Sequence, residues 1–439
     1  MACCSFVSRV RTRPANPRPP AIVTARVPGY DRNNVGGEAA TRVRAPGSIF
    51  SNPPLSIFLL LVAVRVVVLA ATMRADLDRP VVDDLVSRFG AIATTRGTPY
   101  RDFAVEYMPI ELVTIRTMFA DGPSATATRL AIISFVAELA AAGALWYGWG
   151  HRAATTYLLI GLPLQTFILF RIDPVATALA AWSMAMARRG REGRAGVLLA
   201  LATLTKVWPV VLLPWFFVKR RGRTLAWYGT VTAVGLLAWV AIGGIRAPWQ
   251  VLTFRGSTGW EIESTVGFIL LLVTGGPTRV EAGASRIGVA SLSERGALLV
   301  GIGCVVALVW ARARKEPDVD PAGGPALTCI TTLVALSPLF SVQYSYWLLP
   351  WATVGLFGTR RERFVSLIGV GIVAIGGALG LLLAANATAH VVVAIKVLLA
   401  IRNVACIALV VYWFLTGRRL SPRSARSWRE GASRLELLG

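Results

Sequence analysis

The acidic residues of this chain are few and unevenly spread. Of 23 Asp and Glu, eight fall between residues 74 and 129: Asp76, Asp78, Asp83, Asp84, Asp102, Glu106, Glu111 and Asp121. Asp102 and Glu106 sit in the densest piece, PYRDFAVEYMP over residues 99–109, among Tyr100, Phe103 and Tyr107. A carboxylate held in such a loop can serve as a general base. The same acids, interleaved with Arg74, Arg79, Arg88, Arg96, Arg101 and Arg116, would also suit a solvated surface of exposed ion pairs.

A second set is cationic. Lys206 stands inside an apolar run, and Lys396 and Arg402 share the last one. Arg65 and Glu138 are also set among apolar residues. Charges at bilayer depth are costly and face a partner or a wet cavity. Arg65 and Glu138 read as a structural ion pair, and Lys206 as a ligand for phosphate. For Lys396 and Arg402 the two readings weigh equally. A third set lies in SPLFSVQYSYWLLP over residues 337–350. Gln343, Tyr344, Tyr346 and Trp347 there could form an interfacial aromatic belt. They could also contact a sugar or a lipid headgroup, since an aromatic ring offers an apolar face and a polar edge.

The elements that must position these groups are membrane helices. The chain has 439 residues, 55% hydrophobic and only 16% charged, with a mean hydropathy of +0.59. A soluble globular protein does not have this composition. The expected fold is all-α: a polytopic transmembrane helical bundle of about twelve crossings, some of them short broken helices, with a large first outer loop. A net charge of +23 would suggest nucleic acid in a soluble protein. Here the basic residues sit in short loops between apolar runs, which is the signature of cytoplasmic loops, so no nucleic-acid partner is expected. Cys3, Cys4, Cys304, Cys329 and Cys406 show no metal spacing, and His151 and His390 are far apart. Neither a metal site nor a cofactor is expected, and there is no nucleotide-binding loop.

In chain order, residues 1–54 are Arg- and Pro-rich and read as a disordered basic cytoplasmic arm. Residues 55–417 form one integral membrane domain, and 418–439 a basic cytoplasmic tail. Apolar segments at 55–73 and 130–149 bracket the acid-rich loop, and 153–170 follows. Asp173–Pro174 reads as an N-cap and N1 pair opening a short segment to 187. Residues 195–218 are long enough for one helix, yet basic clusters flank both ends, RRGREGR and KRRGR. One span would place a cluster outside. Lys206 and Pro209 instead break the run into a hairpin of two short helices with Lys206 near its outer tip. Such breaks are tolerated where they are buried in protein or line a cavity. Residues 224–244 lead to a second outer loop, 245–295, whose apolar patch at 266–273 lies at the interface. Segments at 296–310, 326–340, 344–357, 364–385 and 390–415 complete the set. On this topology the inside segments carry nearly all the net positive charge. Both termini are then cytoplasmic, and the acid-rich loop faces outside.

Acids outside, cations near the outer face and no ATP motif fit the transfer of a sugar from a membrane lipid phosphate. Phosphate is already a good leaving group, so one carboxylate base and a cationic cradle suffice, and a single displacement inverts the anomeric centre. A lipid-linked saccharide transporter or flippase would also explain charges in a cavity, though not the gathering of acids in one loop. A purely structural membrane protein would carry the same motifs as packing.

Four stretches resemble glycosyltransferase family 87, the bacterial polyprenyl-phosphate-mannose-dependent mannosyltransferases of the GT-C superfamily. They are residues 97–107 (GTPYRDFAVEY), 171–174 (RIDP), 201–209 (LATLTKVWP) with Pro214, and 337–344 (SPLFSVQY) with Trp347 and Pro350. They occur in the family's order. The resemblance implies a GT-C bundle at the cell membrane with its active site facing outside. It also implies a polyprenyl-phosphate sugar donor, mannose-bearing by family habit, and a lipid or glycan acceptor. The family's catalytic Asp precedes the PYRDF stretch, and Asp83 and Asp84 fall at about that spacing, so one of them inherits the base role. Asp102 remains a further catalytic candidate. Glu106, Tyr107, Asp173, Lys206, Gln343, Tyr344, Trp347 and Arg402 become candidates for substrate binding. Met108 stands where the family has a second proline, and Asp84 lacks the usual following Tyr.

Overall fold

The computed structural model describes residues 55–75, 80–119, 122–254, 258–281, 284–383 and 388–416. The expected arm at 1–54 and tail at 418–439 lie outside these residues, as do Asp76, Asp78 and Asp121.

Helix α1 (Leu55–Ala75) is apolar and crossed by Arg65. Helices α2 (Pro80–Thr94) and α3 (Pro109–Met118) frame the PYRDF stretch. Helix α4 (Pro123–Trp149) starts at its proline rather than near residue 130, because Ser124–Ala125–Thr126–Ala127 continue the turn that Pro123 opens. Helix α5 (His151–Gly161), a 3-10 turn at Leu162–Leu164 and α6 (Gln165–Ile168) form one interrupted segment, with Pro163 at the interruption. Helix α7 (Asp173–Arg188) and α8 (Glu192–Thr205) follow. A 3-10 turn at Trp208–Leu212 then leads into α9 (Leu213–Val218), so the run 195–218 is broken at Lys206 as expected.

Helix α10 (Gly222–Gly243) leads to α11 (Ala247–Phe254) and a small module. The module consists of β1 (Trp260–Glu261), α12 (Thr265–Thr274), β2 (Arg279–Glu281) and β3 (Ala284–Ile287). The strands pair antiparallel in the order β1-β3-β2, with Trp260 opposite Ile287 and Arg279 opposite Arg286. This small sheet sits within a bundle that is otherwise helical, as expected from the sequence. Its strands have two to four residues, too few for a period-two pattern to register in the sequence. The chain ends in α13 (Leu292–Ala313), α14 (Gly324–Leu336), α15 (Ser345–Gly355), α16 (Arg360–Leu383) and α17 (Ala389–Leu415).

Six helices among the described residues are long and apolar enough to cross a membrane: α1, α4, α10, α13, α16 and α17. The other apolar segments are shorter helices, some of them interrupted. The protein is a multi-pass membrane protein with a helical bundle. Helix α7 packs between α4 and α8, α8 packs on α10, and α16 packs on both α15 and α17.

Apolar side chains gain little from association in lipid, so close backbone approach and buried polar pairs hold the bundle. Arg65 and Glu138 are fully buried and ion-paired, as expected. Arg65 Nε donates to Leu158 O at 3.1 Å, and Gln165 Nε2 donates to Arg65 O at 2.7 Å. At the α8–α10 crossing, a Cβ on Gly196 would lie 2.3 Å from Thr224 O, a backbone atom that cannot swing aside. Gly196→Ala should therefore lower unfolding stability in detergent by about 1–3 kcal/mol, the usual cost of overpacking. Gly229→Ala on α10, whose Cβ would meet nothing within 4 Å, should leave the melting midpoint unchanged or slightly raised. Equal behaviour of the two variants would refute this account of the crossing.

Candidate functional site

The PYRDF stretch folds into a tight turn. Thr98 O accepts from Asp102 N at 2.9 Å, and Asp102 Oδ2 accepts from Thr98 N at 2.6 Å. Gly97 has φ +108, and a Cβ there would lie 2.9 Å from Asp102 Cβ, so only glycine fits. Tyr100 is left-handed with φ 66, and its hydroxyl donates to Tyr107 O at 2.7 Å. The turn thus fixes the backbone at Tyr107, whose ring meets Phe89 of α2 edge-on at 5.5 Å.

The break after α8 supplies the cation. Lys206 adopts an extended conformation (φ −143, ψ 143) that ends the helix. Its Nζ lies 2.7 Å from Glu111 Oε1 of α3 and 5.9 Å from the Tyr107 ring centroid. Two residues on, Trp208 stacks on Trp347 of α15 at 5.5 Å, and Trp347 stacks on Tyr344 at 4.1 Å. Trp347 Nε1 donates to Asp173 Oδ1 at 2.8 Å. Asp173 is buried in the first turn of α7, where a carboxylate also meets the positive end of the helix dipole. The cap expected at Asp173 is shifted: Ile172 is the N-cap, and the Asp173 side chain holds the indole instead of capping.

These elements enclose a cleft of about 30 Å³ lined by Arg88, Phe89, Tyr107, Glu111, Arg171, Ile172, Asp173, Lys206 and Gln343. Of the residues singled out from sequence, it brings together Tyr107, Asp173, Lys206 and Gln343, with Tyr344 and Trp347 in the aromatic stack beside them. Asp83 and Asp84 are on α2, whose Arg88 and Phe89 line the cleft; their side chains lie outside what is described. Glu106 is half-buried in the loop and Asp102 is exposed, and neither lines the cleft. The Thr98 N–H and then the Arg101 guanidinium hold the Asp102 carboxyl below the usual carboxylate range, which weakens it as a proton acceptor.

Arg402 also lies apart from the cleft. It is fully buried, packed 3.8 Å over the Phe340 ring, and donates to Glu263 O at 2.6 Å and Phe340 O at 3.1 Å. Lys396 is exposed on α17. Sequence reasoning missed Arg88, Arg171 and Glu111 as members of the cleft. Two signals were present: Arg171 opens the RIDP stretch, and Arg88 follows Asp84 by four residues, about one helical turn. It also missed Glu261. Glu261 Oε2 accepts from Phe340 N at 2.6 Å, and Glu263 accepts from the Val342 amide. Two carboxylates therefore hold the strand of chain that delivers Gln343 and Tyr344.

Against this geometry stand the comparisons with known proteins. The family model for glycosyltransferase family 87 matches residues 103–341. Among solved structures, the chain is similar to one titled "Crystal Structure of ArnT from Cupriavidus metallidurans in the apo state". That match has 17% identity and a TM-score of 0.41, and covers 82% of this chain and 76% of that one. No curated protein matches.

The carboxylate clamp has a pH signature. Burial first, and the neighbouring Glu263 second, push Glu261 up to about 7, and burial raises Glu263 as well. A carboxyl whose folded pKa exceeds its unfolded value, here 4.5, gives stability that is full below the unfolded pKa and is lost as pH rises through the folded one. Glu261→Gln keeps an acceptor for Phe340 N–H and removes the proton equilibrium. In detergent, its melting midpoint should match wild type near pH 4 and exceed it increasingly as pH rises through about 7. A difference that is constant with pH would show that Glu261 is not the titrating group.

Proposed function

The chain belongs to glycosyltransferase family 87, and on that premise we propose a specific reaction. It moves a sugar, mannose foremost, from a polyprenyl-phosphate donor to a lipid or glycan acceptor, with inversion. The acid-rich loop and the cleft face outside, and both termini are cytoplasmic. The coarser statement, a membrane glycosyltransferase, rests on family membership and the multi-pass bundle. The finer reading is carried by one observation: Arg88, Arg171 and Lys206 line a single cleft whose wall is the helix bearing Asp83 and Asp84.

The chemistry follows from that placement. The carboxylate of Asp83 or Asp84 takes the proton of the acceptor hydroxyl. The acceptor oxygen bonds to the anomeric carbon on the face opposite the phosphate. The bond from that carbon to the phosphate oxygen breaks, and its electron pair leaves on the phosphate. Arg88, Arg171 and Lys206 stabilise the charge that builds there, so no acid need protonate the leaving group. Glu111 aims the Lys206 ammonium before the donor arrives. Tyr107 and Gln343 at the cleft contact the sugar. Tyr344 and Trp347 hold the shape of that wall, and Asp102 acts on the site through the turn that sets Tyr107. Arg402 fixes the segment before Gln343 from behind.

Membranes bearing the protein, supplied with labelled polyprenyl-phosphate-mannose and extracted lipid and glycan acceptors, test the reading. The double variant Asp83→Asn/Asp84→Asn should lose transfer by on the order of 10²–10⁴, the range for general bases, while expressing normally. Lys206→Met should lower kcat by roughly 10²–10³, the cost of removing one charge-stabilising donor. Wild-type transfer in the double variant removes the base assignment. Translocation of the donor without a new glycosidic bond decides for a flippase.

A further inference from the structure

The basic clusters that flank α8 and α9 are not used by the cleft. The first of them meets the start of α10 around a separate cavity of about 770 Å³, lined on one side by the α7–α8 turn and on the other by the first turns of α10. Three guanidinium groups border it, those of Arg191, Arg194 and Arg223. Arg194 and Arg223 are exposed, with no hydrogen bond or ion pair to any described residue. The acid at the rim, Glu192, is engaged elsewhere: its Oε1 accepts from Arg221 Nη1 at 2.6 Å. The cavity therefore keeps a net positive rim.

Two further features define the ligand. Helices α8 and α10 both begin at the cavity, and neither N-cap residue, Arg191 or Arg221, caps through its side chain. Their first-turn N–H groups add partial positive charge beside the arginines. Below the rim the lining turns apolar with Val197 and Leu198, and Trp227 stands at the edge. Beyond Trp227, α10 exposes Val234 and Leu237 and is among the least buried of the long helices. The order along α10 is arginine, tryptophan, then an apolar face open to lipid, which is the order of a membrane interface.

We infer that this cavity binds the headgroup of an anionic phospholipid, with its phosphate among Arg191, Arg194 and Arg223 and its acyl chains along α10. A free phosphate would use the rim but leave the apolar wall and the lipid-facing helix without a role. Basic pockets between membrane helices hold lipid headgroups on the same physical grounds. The site is separate from the proposed sugar transfer and does not depend on it.

The test uses full-length protein purified in a neutral detergent and titrated in parallel with phosphatidylglycerol and phosphatidylcholine, with bound lipid counted by native mass spectrometry. Phosphatidylglycerol should bind at least tenfold more tightly. Arg194→Gln and Arg223→Gln should each weaken it roughly fivefold, and the pair about thirtyfold, as expected for arginines near an anionic surface. Phosphatidylcholine binding should not change. Arg360→Gln, which removes an exposed charge at the start of α16, should leave both lipids unaffected. Unchanged phosphatidylglycerol affinity in both single variants overturns the inference, as does equal binding of the two lipids. Displacement of phosphatidylglycerol by millimolar inorganic phosphate also overturns it, by assigning the cavity to a free anion.

Discussion

A helix broken in the middle of an apolar bundle must have its loose ends held by protein, because lipid offers them nothing. The break at Lys206 is the constraint around which the cleft is built. Lys206 N still closes the last turn of α8 through Ala202 O at 2.9 Å, and two residues later Trp208 is locked against Trp347. Trp347 in turn carries Tyr344 on its other stacked contact and ties to Asp173 through its indole N–H. One aromatic column thus joins three irregular places: the break after α8, the start of α7 and the 3-10 turn at Val342–Tyr344 before α15. Each frees polar backbone and side-chain groups from helical regularity. Their meeting point is where a polar cleft can exist inside a protein that is otherwise 55% hydrophobic.

The column is supported from the side by the module between α11 and α13. Glu261 and Glu263 accept backbone N–H groups of Phe340 and Val342, while Arg402 donates to the carbonyls of Phe340 and Glu263. Burying two carboxylates and a guanidinium costs desolvation, which hydrophobic replacements would avoid. What the arrangement supplies is position. Both the N–H and the C=O of Phe340 are satisfied by side chains, which pins the segment three residues before Gln343. The two long segments between membrane helices therefore contribute differently. The first, with α2, the PYRDF turn and α3, forms the wall of the cleft. The second holds the opposite wall in place.

Much of this was legible in the sequence wherever one residue type had few uses. A lysine in an apolar run with proline three residues later could hardly be an unbroken lipid-facing helix, and the break falls there. Arg65 and Glu138, isolated at depth, had to find one another. The sequence was less informative where a residue can serve several roles. Asp173 carries the right neighbours for a cap, but the nearby Trp347 indole was a better partner than its own backbone, and no local pattern reports a contact across 174 residues. Asp102 and Glu106 stood out by density among aromatics, yet the turn consumes Asp102 in its own closure. The small sheet was invisible because strands this short have no periodicity to read.

Arginine is the sharpest example of what sequence leaves open. Counting basic residues locates loops, but it assigns every arginine the same meaning. In the folded chain Arg65, Arg286 and Arg402 are almost wholly buried. Arg65 is paired with a carboxylate in the bundle. Arg286 donates to the carbonyls of Gly259 and Glu281 and so knits the sheet. Arg402 braces the Phe340 segment. Arg88 and Arg171 line the cleft, whereas Arg194 and Arg223 stand exposed at the rim of a different cavity. The distinction is one of dielectric surroundings. A buried guanidinium is anchored by the fixed acceptors and charges around it, which leaves it a structural part. An exposed one at the edge of a cavity, such as Arg194 or Arg223, keeps donors for an anion that comes and goes. Burial and partners, rather than position in the charge pattern, separate the arginines that hold this fold from those available to a ligand.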